Sequence, residues 1–406
     1  MHVLLIHQAF AALEEPGGTR HYEMAHYLAE HGHNVTVIGS PISYLTGTLN
    51  DSAQYREQGG PGDRITIIRS YTYSALHRSF VHRVFSFFSF MLSSFFAGIT
   101  VEDVDLVWGT SPPIFQGITA WGLARLKRVP FMFEVRDLWP AFAIDVGVLR
   151  NPSLIRASLW LERFLYRHAD TVIVNSPGFI DHVQGRGAGP VELVPNGSDP
   201  GMFNPMEKGD GFRSQNGLGG KYVVLYAGAH GLSNDLGVVL QAADLLQDRI
   251  DICIVLLGDG KEKPVLLEQA TDLKLANVHF IPPVPKTGMP DALAAADACL
   301  AILKPVPLYA TVYPNKVFDY MAAGRPVILA IDGVIREAVE AAEAGVFVAP
   351  GNAVALAETI RSLADDPQRG RVTGMNGRKL VEERYDRAVL AEKLTRIMED
   401  MLHLTG

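Results

Sequence analysis

Cysteine is scarce: only Cys253 and Cys299 occur in 406 residues. Each sits inside an apolar run, DICIVLLG and DACLAIL, where a reduced, buried thiol is the expected state. This argues against disulfides and against a cysteine metal site, and for a cytoplasmic setting. An excess of basic charge is also missing. Thirty-six Lys and Arg stand against 44 Asp and Glu, a net charge of -8, so nothing in the overall balance attracts a polyanion and nucleic acid is not an expected partner. The opening stretch, MHVLLIHQAF, is too short for a secretory apolar region and carries no small-residue cleavage site, so it reads as a first buried strand. A Gly-x-Gly-x-x-Gly fingerprint is absent, which counts against a nicotinamide or flavin dehydrogenase. No fixed-period repeat and no long low-complexity tract appears.

What is present describes an ordered globular chain, 48% apolar and 20% charged, longer than one hydrophobic core usually supports. Short runs of Val, Ile, Leu and Phe alternate with stretches of helical period, the pattern of parallel α/β sheet. Strands are predicted at 2–7, 34–39, 64–69, 105–108, 131–135, 171–175 and 191–194, with helices such as 20–31 and 154–168 between them. The pattern restarts at 222–228, 252–258, 278–282, 298–303, 326–330 and 346–348. Two doubly wound, Rossmann-like domains follow. The segment 194–205, VPNGSDPGMFNP, is dense in turn residues and marks the boundary between them.

Several loops could carry chemistry. After the first strand, Gly17 and Gly18 precede the helix that starts near Arg20, where free N–H groups and the positive helix end favour an anion. A ligand-free βα loop accounts for that feature equally well. The strand PFMFEV delivers Arg136 and Asp137 at its C-terminal end, the edge where open α/β sheets bind ligands. There Arg136 can stabilise negative charge and Asp137 can orient or deprotonate a hydroxyl, or the two can pair with each other. In the second half, YAGAHGLSNDLG holds Gly228 and His230, and LLGDGKEK holds Gly258, Asp259 and Gly260, also an ordinary tight turn. The densest block is YPNKVFDYMAAGRPV. Pro314 suits a first helical turn, which aims the N–H groups near Asn315 and Lys316 at a diphosphate, while Asp319 on the same face can accept from both hydroxyls of a ribose. The plain alternative is a surface Lys–Asp pair.

In their order and spacing these blocks resemble the family 4 glycosyltransferases of the GT-B fold over nearly the whole chain. The matching pieces are GGTRHYEMAHYLAEHGHNVTVI, FMFEVRDLWP, VNSPGF, VPNGSDPGMFNP, LYAGAHG, LLGDGKEK, ADACLAILK and YPNKVFDYMAAGRPVI. The look is that of the bacterial branch that builds O-antigen, capsule or colanic acid, including transferases of N-acetyl-L-fucosamine. The resemblance implies an acceptor domain at 1–198, to which 385–406 crosses back, a nucleotide-sugar domain at 206–384, and a cleft between them. It implies retaining transfer from a UDP- or GDP-sugar, with neither cofactor nor metal; a polyprenyl-diphosphate-linked saccharide is the acceptor that a membrane-facing reading of the Phe-rich segment suits. Carried over by position, Gly17 and Gly18 face the diphosphate, Arg136 takes the place usual for a His, and Asp319 is the second of two paired acids, with Lys316 beside it. Three departures stand out. The first acid is replaced by Thr311, the usual Arg and Lys of the second domain are replaced by Ala229, His230 and Asp235, and a His is replaced by Arg136. Leaving-group charge then falls to Lys316, helix N-termini and Arg20 or Lys304.

One segment does not fit a purely soluble reading. Between 80 and 96 lie seven of the 19 Phe residues, led by basic residues. As a helix it forms one stripe of Phe80, Val84, Phe87, Met91 and Phe95 and a second of Phe85, Leu92 and Phe96. Its Ser content and length argue against a bilayer span. Core burial and a membrane-surface face remain, the latter with Arg78, Arg83, Arg125, Lys127 and Arg128 for head groups, placing 77–99 on the cytoplasmic face of the inner membrane. A nucleotide-sugar 2-epimerase and a non-catalytic nucleotide-sugar-binding protein are the alternative functions.

Overall fold

The structure is a computed structural model that describes residues 1–15, 18–43, 47, 49, 55–74 and 80–405. Gly17 and Arg78 therefore lie outside the described residues. The chain divides into two compact units. One comprises Met1–Ala12, Gly17–Pro195 and Ala388–Gly406, and the other Leu13–Pro16 and Asn196–Arg387.

The first unit is built on eight strands: β1 (His2–Ile6), β2 (Asn34–Gly39), β3 (Arg56–Gly59), β4 (Ile65–Arg69), β5 (Leu106–Ser111), β6 (Phe131–Val135), β7 (Thr171–Val174) and β8 (Val191–Leu193), in the order β3-β4-β2-β1-β5-β6-β7-β8. All neighbours are parallel except β3 with β4. Central strands of such a sheet are covered on both faces, which is why Val3–Ile6 of β1, Leu106–Trp108 of β5 and Phe131–Phe133 of β6 read as apolar runs. The edge strand β3, REQG, has no apolar side chain and gives no strand signal in the sequence.

Four helices of this unit position its polar edge and its surface: α1 (Arg20–Glu30), α2 (Phe80–Ile99), α3 (Phe115–Lys127) and α4 (Pro152–His168). Helix α2 is two-faced. Phe90, Ser86, Ser94 and Ala97 are buried, whereas Phe85, Phe88, Leu92, Phe96 and Ile99 are 61, 40, 57, 67 and 42% exposed. The second sequence stripe, joined by Phe88 and Ile99, is thus the exposed one, and the other residues of 82–98 are buried or half-buried. The stretch His82–Ile99 is long and apolar enough to cross a membrane by length and composition. Lys127, expected to be available for head groups, instead donates to the carbonyls of Ile99 and Val101 at the end of α2.

The second unit carries six parallel strands, β9 (Tyr222–Ala227), β10 (Ile252–Leu257), β11 (Val278–Ile281), β12 (Ala298–Ile302), β13 (Val327–Ala330) and β14 (Gly345–Phe347), in the order β11-β10-β9-β12-β13-β14. Strand β9 lies between β10 and β12, so the strand order reverses beside it. That reversal opens a crevice at the carboxyl ends of β9 and β12. Helix α5 (Leu236–Asp244) follows β9 and α6 (Asn315–Ala322) follows β12. The last helix, α7 (Arg387–Thr405), sends Leu390, Ala391, Leu394, Met398 and Met401 into the core of the first unit beside Val3, Leu5, Met24 and Trp108.

Candidate functional site

In the first unit the polar residues gather at the carboxyl ends of β1, β5 and β6. His7 follows β1 and is 1% exposed. Its Nε2 lies 3.2 Å from a guanidinium nitrogen of Arg136 and its Nδ1 lies 2.8 Å from the Thr110 hydroxyl. Arginine can only donate, so Nε2 accepts and Nδ1 carries the proton. Burial, with His21 and Arg136 nearby, lowers this imidazole well below its ordinary value, which agrees with a neutral ring. Position 136 is therefore an Arg that leans on a neutral His contributed by another strand. Sequence reasoning gives His7 no role, because the two are 129 residues apart. Asp137 follows at the same edge and is exposed, whereas Arg136 is half-buried.

Behind this edge lies a buried ionic cluster. Glu134 on β6 is fully buried and accepts from Arg20 Nε at 3.0 Å and His21 Nε2 at 2.7 Å. Burial alone would raise this carboxyl, but adjacent His21 and Arg20 outweigh it and hold it well below the usual carboxylate range. Arg20 also donates to the carbonyls of Pro195 and Val194, both at 2.7 Å. Its side chain thus ties helix α1 to the sheet, and the structure shows it in this network where the sequence suggests a diphosphate contact. Among the described residues, a β-carbon on Gly18 would meet nothing within 4 Å.

The second unit brings together most of the other predicted residues. The loops after β9 and β10 are laced by backbone bonds, from Gly228 to Leu257 at 3.0 Å, from His230 to Asp259 at 2.8 Å and from Glu262 to His230 at 2.9 Å. Gly258 has φ +146, and a β-carbon there would stand 1.9 Å from the Gly228 carbonyl oxygen; at Gly260 it would stand 2.5 Å from that of His230. These glycines approach something closely, as their sequence suggests, and what they approach is the neighbouring loop. Asp259 accepts from the amide of Gly260.

His230 is fully buried, and among the described residues neither of its ring nitrogens has a hydrogen-bond partner. Burial lowers it to about 4, so it is neutral. Beside it Lys316, in the first turn of α6, is half-buried, its ammonium 3.9 Å from the centre of the Tyr226 ring. Asp319 gives its bonds to other groups, so the surface pair with Lys316 does not form. A β-carbon on Gly228 would stand 2.7 Å from the Lys316 ammonium. Burial pushes Lys316 down to about 7. Among the described residues, the crevice beside β9 therefore ends in a cation without a counter-ion, a neutral imidazole with neither nitrogen bonded, one of which can donate, and the first turn of a helix.

Asp319 stands one turn further on and is largely buried. One of its oxygens, Oδ1, accepts from the Ser198 hydroxyl at 2.6 Å and from Lys286 Nζ at 2.7 Å. Lys286 is not singled out by the sequence, being 33 residues away on a 3-10 turn. Asn315 accepts from Arg387 at 3.2 Å, Thr311 donates to the carbonyl of Leu308, and Lys304 is half-buried with its amide bonded to Ser233. Among the described residues no group of three or more His, Cys, Asp and Glu is placed to hold a metal ion.

Comparison with known proteins gives this arrangement a family. Residues 17–197 match the glycosyl transferase 4-like domain, and residues 221–366 match the glycosyl transferases group 1 domain. A relative in Escherichia coli K12, the putative colanic acid biosynthesis glycosyl transferase WcaI, is 25% identical over 320 residues, 76% of this chain and 77% of that protein. In fold, the chain is similar to a sucrose-phosphate synthase from Thermosynechococcus elongatus, with TM-score 0.80 and 18% identity over 99% of both chains. HepE of Anabaena in complex with UDP-glucose matches with TM-score 0.74 and 18% identity, over 98% of this chain and all of that one. A glycosyl transferase 4-like half joined to a group 1 half, on two doubly wound parallel sheets, makes this chain a member of the family 4 glycosyltransferases of GT-B fold.

Proposed function

We propose that this glycosyltransferase takes its sugar from a UDP-linked donor held by the second unit and passes it to a lipid-linked saccharide in the assembly of a bacterial surface polysaccharide. The observation that carries the donor assignment is the Lys316 ammonium, which among the described residues has no counter-ion, beside His230, whose ring nitrogens have no hydrogen-bond partner there. Two or more donors that face no acceptor at a sheet's switch point suit a diphosphate, with the first turn of α6 supplying further N–H groups. UDP rather than GDP is favoured by the likeness to HepE, and a surface polysaccharide by the likeness to WcaI. In this reading Lys316 and His230 take the charge that develops on the leaving diphosphate, Asp319 faces the ribose, and no metal is needed. Arg136 and Asp137 of the first unit act on the acceptor side, Asp137 as the contact to the incoming hydroxyl. Attack comes from the face the diphosphate leaves, so the anomeric configuration is retained.

The exposed stripe of α2 gives a peripheral contact with the cytoplasmic face of an anionic membrane, where a lipid-linked acceptor resides, with exposed Arg125 and Arg128 for its head groups. A transfer assay with a panel of UDP- and GDP-sugars and a polyprenyl-diphosphate-linked saccharide tests the reading. The expected result is a UDP-dependent glycosylated lipid whose anomeric proton coupling matches the donor. Transfer from GDP-sugars alone, or an inverted product, would overturn it.

A further inference from the structure

The environment of Asp319 restricts how it can read a sugar. A free carboxylate presents two oxygens and can chelate both vicinal hydroxyls of a ribose, which is the role the sequence suggests for it. Here Oδ1 already accepts from Ser198 and from Lys286, both at hydrogen-bond distance. The Lys286 side chain is 7% exposed and that of Asp319 11%, so the pair is shielded from solvent and its geometry is fixed. Lys286 also sits over the Phe203 ring at 5.5 Å, which limits its alternatives. With Oδ1 occupied, only Oδ2 has capacity left for a ligand.

We infer that Lys286 is a positioning residue: with Ser198 it pins one oxygen of Asp319, so that the other reads a single hydroxyl of the nucleotide ribose. The inference rests on the proposal that Asp319 faces the ribose. It predicts an asymmetry that a two-oxygen acceptor does not give. Losing the hydroxyl that Oδ2 accepts removes a hydrogen bond to a charged group, whereas losing its neighbour costs nothing at this residue.

The test compares the dissociation constants of UDP, 2′-deoxy-UDP and 3′-deoxy-UDP by calorimetry on the full chain. In the unmodified protein one deoxy analogue binds about tenfold or more weakly than UDP, and the other binds within about twofold. Lys286→Met frees the carboxylate to rotate, and the ratio between the two analogues falls toward unity. Asp319→Ala abolishes discrimination altogether. If neither deoxy analogue is weakened in the unmodified protein, the placement of Asp319 at the ribose fails. If both are weakened alike and Asp319→Ala removes the effect, that placement stands and single-hydroxyl reading is overturned. A Lys286→Met protein that keeps the original ratio overturns the positioning role. Should Lys286→Met not fold, as judged by thermal unfolding, Ser198→Ala removes the other bond to Oδ1 and is read by the same ratio.

Discussion

Raising the pH should release the donor, and Lys316 sets where. With its pKa at about 7, the ammonium is half populated at that pH. One unit higher about one molecule in eleven carries it. If the charged form is what binds diphosphate, the affinity for UDP falls about fivefold between pH 7 and 8 and about ninefold over the next unit. His230, lowered to about 4, stays neutral throughout this window and contributes no slope. Calorimetry at pH 7 in two buffers of different ionisation enthalpy should show uptake of about half a proton per UDP bound. Lys316→Met should bind weakly with no pH slope and no proton uptake. Stability of the ligand-free protein runs the other way. A lysine whose folded pKa lies below its unfolded value leaves more protons on the unfolded chain between about pH 7 and 10, so stability rises with pH there. Lys316→Met should accordingly melt higher than the unmodified protein at neutral pH. A UDP affinity flat from about pH 7 to 9, in a protein whose affinity still depends on Lys316, would refute the assignment of the charged form as the binding form.

Four further outcomes rest on particular contacts. Glu134→Gln breaks the buried contact with Arg20 and His21 and should cost about 3–5 kcal/mol in urea unfolding; a loss under about 1 kcal/mol would mean that the cluster relaxes. Gly258→Ala drives a β-carbon into the Gly228 carbonyl at positive φ, so it should lower stability by about 1–3 kcal/mol and weaken UDP binding with it, measured by thermal shift with and without ligand. Replacing Phe85, Leu92 and Phe96 together by Ser should abolish flotation with anionic vesicles at low salt while leaving unfolding nearly unchanged, since all three side chains are more than half exposed. Phe90→Ala on the opposite face should instead cost about 3–5 kcal/mol.

Much of the architecture is legible in the chain because covered parallel strands are mostly apolar, and such runs announce themselves. The polar edge strand β3 obeys no such demand and leaves no signal. Helix α2 shows a second limit. Phe90 and Phe96 are the same residue type on the same greasy helix, and only the packing around that helix decides which of them is buried. At the site, Pro314 and Lys316 are readable because turn chemistry and helix entry are local. The contacts of His7 with Arg136 and of Lys286 with Asp319 are not, since each joins residues far apart in sequence that meet only once the fold has formed. Glycines give a true but incomplete message: Gly258 does mark a close approach, and its partner is another loop of the same unit.

Helix α7 has a consequence for biosynthesis. Its apolar residues complete the hydrophobic interior that Val3, Leu5 and Met24 begin, yet they leave the ribosome only after the whole of the second unit. The nascent first half therefore emerges with one side of its interior uncovered and stays so while the whole of 196–387 is translated. A chain released early, anywhere before Leu390, never acquires that cover, however well its own sheet has formed. Birth order and spatial order disagree in this molecule, and its first-made sheet is the last to be sealed.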